Sequence, residues 1–183
     1  RPRPARPQRR GGARARREGG DALSAAPPAI EVEGLVKRYG ETVAVAGVSF
    51  AVASGSVTGL LGGNGAGKTT TIGMIMGLVA PSAGTARVLG ADMTRERHRA
   101  LGRMNFQSPY VDMPHRLTVR QNLDVFARLY GVADVRGRIA RLADELALGE
   151  FLDRASGKLS AGQKTRVALA KALINEPDVL LLD

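Results

Sequence analysis

The chain has 183 residues, with 27 Lys+Arg against 17 Asp+Glu, a formal net charge of +10, 44% hydrophobic residues and no Cys or Trp. That fits one domain of ordinary size, and the lack of cysteine excludes a disulfide scaffold, a thiolate metal site and a cysteine nucleophile. The charge is uneven: residues 1–28 hold eight Arg against Glu18 and Asp21, a local net of +6 that leaves +4 for the other 155 residues.

Residues 1–28 contain almost no large apolar side chains, cannot offset the entropy of ordering a backbone, and are expected to be a disordered tail. The Arg-rich opening is followed by Gly, Arg and Pro where a signal peptide needs an apolar run. Phosphate contacts from such an arm are conceivable chemistry, but it lacks interleaved aromatics and any motif, so a solvated tail is expected and no specific nucleic-acid partner.

From Ala29 the pattern has period 2. Ile30, Val32 and Leu35 alternate with Glu31 and Glu33, Gly40 marks a turn, and Val43, Val45, Val48, Phe50 and Val52 continue, as in half-buried antiparallel strands. After the turn Ser54-Gly55-Ser56, the run Val57-Thr58-Gly59-Leu60-Leu61 loses the alternation, which predicts a strand buried on both faces of a parallel sheet. No charge occurs between Glu41 and Lys68, yet seven glycines in that stretch argue against a membrane span.

The predicted strand runs into Gly62-Gly63-Asn64-Gly65-Ala66-Gly67-Lys68-Thr69, and Thr70 to Leu78 reads as a helix. This is G-x-x-x-x-G-K-[ST] between strand and helix, the context in which the motif binds phosphate. Glycines let successive backbone N–H groups turn toward phosphate oxygens, and the helix N-terminus adds positive potential. Lys68 is placed to reach the β- and γ-phosphates, and the Thr69 hydroxyl to hold Mg²⁺. Gly62, Asn64, Gly65, Ala66, Gly67, Lys68, Thr69 and Thr70 are therefore the predicted nucleotide-binding residues of the loop.

Gly102 to Phe106 reads as a short strand ending at Gln107. Thr118-x-x-Gln121 is a capping box opening a helix with Leu123, Phe126 and Tyr130 on one side and Gly131 as its stop. Val135, Ile139, Leu142 and Leu146 mark a second amphipathic helix. Then Leu159-Ser160-Ala161-Gly162-Gln163 opens a helix to about Ile174, and after Asn175-Glu176-Pro177 an apolar strand, Val179 to Leu182, ends in Asp183. Ser160 and Gln163 have capping-box spacing. A carboxylate at the C-terminal edge of a buried strand stands where α/β folds place ligand groups.

In this order of motifs, from about Ile30 to its last residue, the chain resembles the nucleotide-binding domain of an ATP-binding-cassette (ABC) transporter, ending at the aspartate of the second nucleotide motif. The resemblance implies an α/β P-loop NTPase fold with a RecA-like core sheet, N-terminal antiparallel strands and an inserted helical subdomain, the last part of the core being absent. It implies a core of residues 29–108 and 159–183, with 109–158 as the helical subdomain that receives a membrane subunit. It assigns Asp183 to the Mg²⁺ hydration shell beside Thr69. Gln107 becomes a metal ligand or water-positioning group, and Tyr39 the aromatic that stacks on adenine. Ser160, Gly162 and Gln163 belong to the signature that binds the γ-phosphate of ATP held by a second subunit. Lys68, Gln107 and Asp183 are thus the implied catalytic residues.

Two departures stand out: Ala161 replaces a usual Gly, and Gly63 a frequent Pro. His98 and His115 precede the signature, so neither is the family's switch histidine, and both are read as solvated. The family's catalytic glutamate would follow Asp183, so the fragment is expected to bind MgATP but hardly to hydrolyse it. The complete subunit is expected to act as an ATPase in a head-to-tail dimer, peripheral on the cytoplasmic face of the membrane, driving transport through separate permease subunits, with export as the direction. The alternatives are a soluble ATPase of the same superfamily acting on ribosome or nucleic acid, and a non-catalytic nucleotide-binding module. Only about 90 residues without sustained heptads separate phosphate loop and signature, against the long coiled coil of DNA-repair relatives.

Overall fold

The computed structural model describes residues 27–108 and 113–183; the Arg-rich tail up to residue 26 lies outside them. Strands β1 (Ile30–Tyr39) and β2 (Thr42–Val52) form an antiparallel hairpin. Gly40 turns it at φ 55°, a left-handed conformation that glycine adopts without steric cost. β3 (Ala83–Val88) pairs with the other edge of β1, and the two-residue β4 (Ala91–Asp92) pairs with β3, giving the order β2-β1-β3-β4. The predicted alternation is what the sheet uses: Ile30, Val32, Leu35 and Val45 are buried, while Glu31 and Glu33 face Arg87 and Thr85 of β3. Val43, beside the hairpin turn, is 42% exposed.

Helix α1 (Lys68–Ile75) follows the glycine loop. It starts two residues before the predicted Thr70 and stops before Leu78, because Gly77 takes φ 66° and lies so close to the Met93 carbonyl that a Cβ there would collide. Met74 and Ile75 pack with Ile30, Val88, Met93 and Ala100 in one hydrophobic core under the antiparallel sheet. The short helix α2 (His98–Leu101) leads into β5 (Met104–Gln107). His98 and His115 are both exposed.

A second core is helical. α3 (Val119–Leu129), α4 (Val135–Glu145) and α5 (Ala161–Leu173) bring Leu123, Ala127, Ile139, Leu142, Val167 and Ala170 together. Both predicted capping boxes form. Thr118 Oγ1 accepts from the Gln121 amide at 3.1 Å and Ser160 Oγ from the Gln163 amide at 3.3 Å, and each glutamine returns a bond to the cap N–H. Asn122, 1% exposed, donates to the Ser156 hydroxyl at 2.8 Å and so ties α3 to the segment before α5. Lys171 of α5 lies 4.7 Å from the Phe126 ring centre, and burial lowers its pKa.

After α5 comes β6 (Val179–Leu182), parallel to β5 with Met104 opposite Val179 and Gln107 opposite Leu182. The predicted buried strand Val57–Leu61 is not formed. These residues lie outside any strand or helix, with Val57 fully exposed and Leu61 93% exposed. The physical reason is long-range. A strand with two apolar faces is stabilised by a ladder on each edge and helices on each face, and the parallel sheet described here contains only β5 and β6.

Candidate functional site

The glycine loop is built around one close approach. Gly67 has φ 80°, and a Cβ on it would run into the Ala44 carbonyl of β2. Only glycine satisfies both conditions at once, so β2 serves as the floor on which the loop turns into α1. Gly67→Ala is expected to destabilise the chain by about 2 kcal/mol or more, from the left-handed conformation and the clash together. A urea midpoint equal to that of the unaltered chain would show that β2 does not hold the loop.

No side chain caps α1, whereas both α3 and α5 are capped by their own serine or threonine. The first-turn N–H groups of α1 therefore need an acceptor from outside the helix, which is the property of an anion site. Lys68 arches over the loop, and its Nζ donates to the Gly62 and Gly63 carbonyls at 2.7 and 2.9 Å. An ammonium has three donors; the loop carbonyls take two of them. Thr71 anchors the turn from below, its hydroxyl donating to the Gly67 carbonyl at 2.9 Å.

A cleft of about 430 Å³ opens above the loop, lined by Ala44, Asn64, Gly65, Ala66, Gly67, Lys68, Thr69, Thr70 and Asp183. Asp183 thus reaches the same cleft as Thr69 although 114 positions separate them in the sequence. The link is β5–β6 pairing, extended by one bond: the Asp183 amide donates to the Gln107 carbonyl at 3.0 Å. A hydroxyl and a carboxylate are hard oxygen donors suited to Mg²⁺, which is bound by one or two carboxylates plus phosphate oxygens and water rather than by a protein cage. Among the described residues no three His, Asp or Glu gather elsewhere as a rival metal site.

Other predicted residues stand apart from this cleft. Gln107 is at the end of β5, with its amide nitrogen donating to the Ser108 carbonyl at 2.9 Å. Tyr39, 52% exposed at the end of β1, carries Lys37 Nζ 4.9 Å from its ring centre. Ser160, Gly162 and Gln163 open α5, Ser160 and Gly162 exposed and none of the three lining the cleft. Ala44 was not legible as a site residue, because what it contributes is backbone and no motif marks it.

A family model described as ABC transporter matches residues 45–183. The chain belongs to the ABC transporter family. It is 41% identical over 158 residues to the Nod factor export ATP-binding protein I of Ralstonia nicotianae, covering 85% of this chain and 49% of that protein. With the probable multidrug ABC transporter ATP-binding protein YbhF of Escherichia coli it shares 40% identity over 159 residues, 84% of this chain and 27% of the other. The chain thus spans half or less of the length of these curated ABC relatives.

Among solved structures, cbiO1 from Clostridium perfringens, part of the ABC transporter complex cbiONQ, superposes with a TM-score of 0.76 at 30% identity, over 86% of this chain and 66% of that one. An ATP-binding subunit of an ABC transporter gives 0.75 at 28% identity, over 84% and 65%. The fold is therefore that of ABC ATPase domains, a P-loop NTPase fold with antiparallel N-terminal strands.

Proposed function

We propose that this chain is the ATP-binding part of an ABC exporter subunit, taking MgATP in the cleft between the glycine loop and Asp183. The observation that carries the reading is that Lys68, Thr69 and Asp183 line one cleft beside an uncapped helix start. Lys68 and the N–H groups of α1 hold the phosphates, while Thr69 and Asp183 orient the metal, which neutralises phosphate charge when bound. Tyr39, at the end of β1, would stack on the adenine, and Gln107, at the end of β5 and outside the lined cleft, would serve as a metal ligand or position water.

The exposed start of α5, with Ser160, Gly162 and Gln163, supplies the γ-phosphate contact to a second nucleotide-binding domain, alike or different, in a head-to-tail dimer. Residues 29–108 and 159–183 form the core and 109–158 the helical part that meets permease subunits at the cytoplasmic face of the membrane. The curated relatives named for Nod factor export and multidrug transport support export, and no helix among the described residues is long and apolar enough to cross a membrane, which suits a peripheral subunit. Hydrolysis belongs to the complete subunit.

The direct test is calorimetric titration of ATP into the chain with Mg²⁺ and again with EDTA. Binding in both, tighter by about tenfold or more with the metal, is the expected result. No binding in either overturns the proposal, and equal affinities remove Asp183 and Thr69 from it.

A further inference from the structure

Between the two cores lies a polar junction that the nucleotide site does not use. Arg138 sits on the inner face of α4 with its side chain nine-tenths buried. Its Nε donates to the Ile174 carbonyl at 3.2 Å and an Nη to the Leu173 carbonyl, so it closes the end of α5. The other Nη meets Glu176 at 3.0 Å, in the turn that feeds β6. Next to it, Asn175 Oδ1 accepts from Asn105 Nδ2 of β5 at 2.8 Å, and Asn175 Nδ2 reaches the Gly102 carbonyl at 3.2 Å. Tyr130, just past α3, donates its hydroxyl to Asn105 Oδ1 at 3.3 Å. In this way α4 is bonded to the end of α5 and to the turn that feeds β6, and the residue just past α3 is bonded to β5.

We infer that Arg138, with Glu176, Asn175, Asn105 and Tyr130, is a positioning hinge that sets the β5–β6 register at the nucleotide end, so that displacement of α3 and α4 is transmitted to Asp183. Directional bonds to an almost fully buried guanidinium resist displacement of α4, because any shift leaves carbonyls or charge without partners. The placement of Asp183 in the MgATP cleft rests on the function proposed above; the mechanical claim does not.

The test is amide hydrogen exchange of the whole chain without nucleotide, followed by mass spectrometry, in Arg138→Met, Arg138→Lys and Tyr130→Phe. Arg138→Met should speed exchange at the β6 end, including the Asp183 amide, about tenfold, with the β1–β2 hairpin unchanged. Arg138→Lys should restore part of the protection. Tyr130→Phe, which deletes one hydroxyl and is the milder variant, should affect the β5 end alone. Acceleration spread evenly over both cores, or none at β5 and β6, would overturn the hinge. The same variants are then titrated with ATP. The gain in affinity from Mg²⁺ should shrink in Arg138→Met while affinity in EDTA stays the same, and an undiminished gain would overturn the transmission to Asp183. An unaltered chain with no Mg²⁺ gain would instead contradict the function proposed, and the exchange result would stand by itself.

Discussion

Lys68→Ala should lower the affinity of the chain for ATP by about 10- to 150-fold, the effect of losing a charge-assisted contact of about 1.5–3 kcal/mol. The size follows from the geometry. The two loop carbonyls at 2.7 and 2.9 Å hold the ammonium against the loop, and the alanine variant removes the loop's one cationic side chain from the phosphates. The fold should survive, because Lys68 bonds only to the exposed loop and contributes no side chain to either hydrophobic core. Affinity is read by calorimetry and folding by thermal unfolding; ATP binding as tight as in the unaltered chain would contradict the phosphate-loop role.

Ser160→Arg separates two roles of one residue. As N-cap of α5, Ser160 accepts from the Gln163 amide at 3.3 Å, and loss of a cap costs about 0.5–2 kcal/mol of stability. As donor to a γ-phosphate across a dimer, it would be worth about 2.7–4 kcal/mol of barrier, or 10²- to 10³-fold in rate. In a complete subunit the substitution should therefore leave ATP binding by the monomer intact, block ATP-driven dimerisation in sedimentation, and reduce hydrolysis by those two to three orders of magnitude. Normal dimerisation and turnover with only a lower melting temperature would leave the capping box as the whole role of Ser160.

Local chemistry made much of this legible. The glycine loop, the caps at Thr118 and Ser160, the alternation of β1 and the strand before Asp183 each depend on residues a few positions apart, and each appears in the structure. The run Val57–Leu61 was misread because two-sided burial is supplied by neighbouring strands, a property no window of five residues contains. Arg138 was overlooked for a related reason. It occupies the apolar stripe of α4, three residues after Val135 and four before Leu142, and that interruption was the available signal. Its partners, Leu173 and Ile174, lie 35 and 36 positions away. Asn105, 6% exposed inside a buried strand, likewise has its partner 70 positions on. Buried polar groups find partners through the fold, so the sequence shows the anomaly without its answer.

The central claim is that the glycine loop and Asp183 form one MgATP site. A double-mutant cycle of Thr69→Val and Asp183→Asn, read as ATP affinity, tests it most directly. If both side chains orient one metal ion, the two losses are non-additive by about 0.5–3 kcal/mol in Mg²⁺, and the coupling vanishes in EDTA. Additive losses in Mg²⁺, or coupling that persists when the metal is removed, would contradict a shared site.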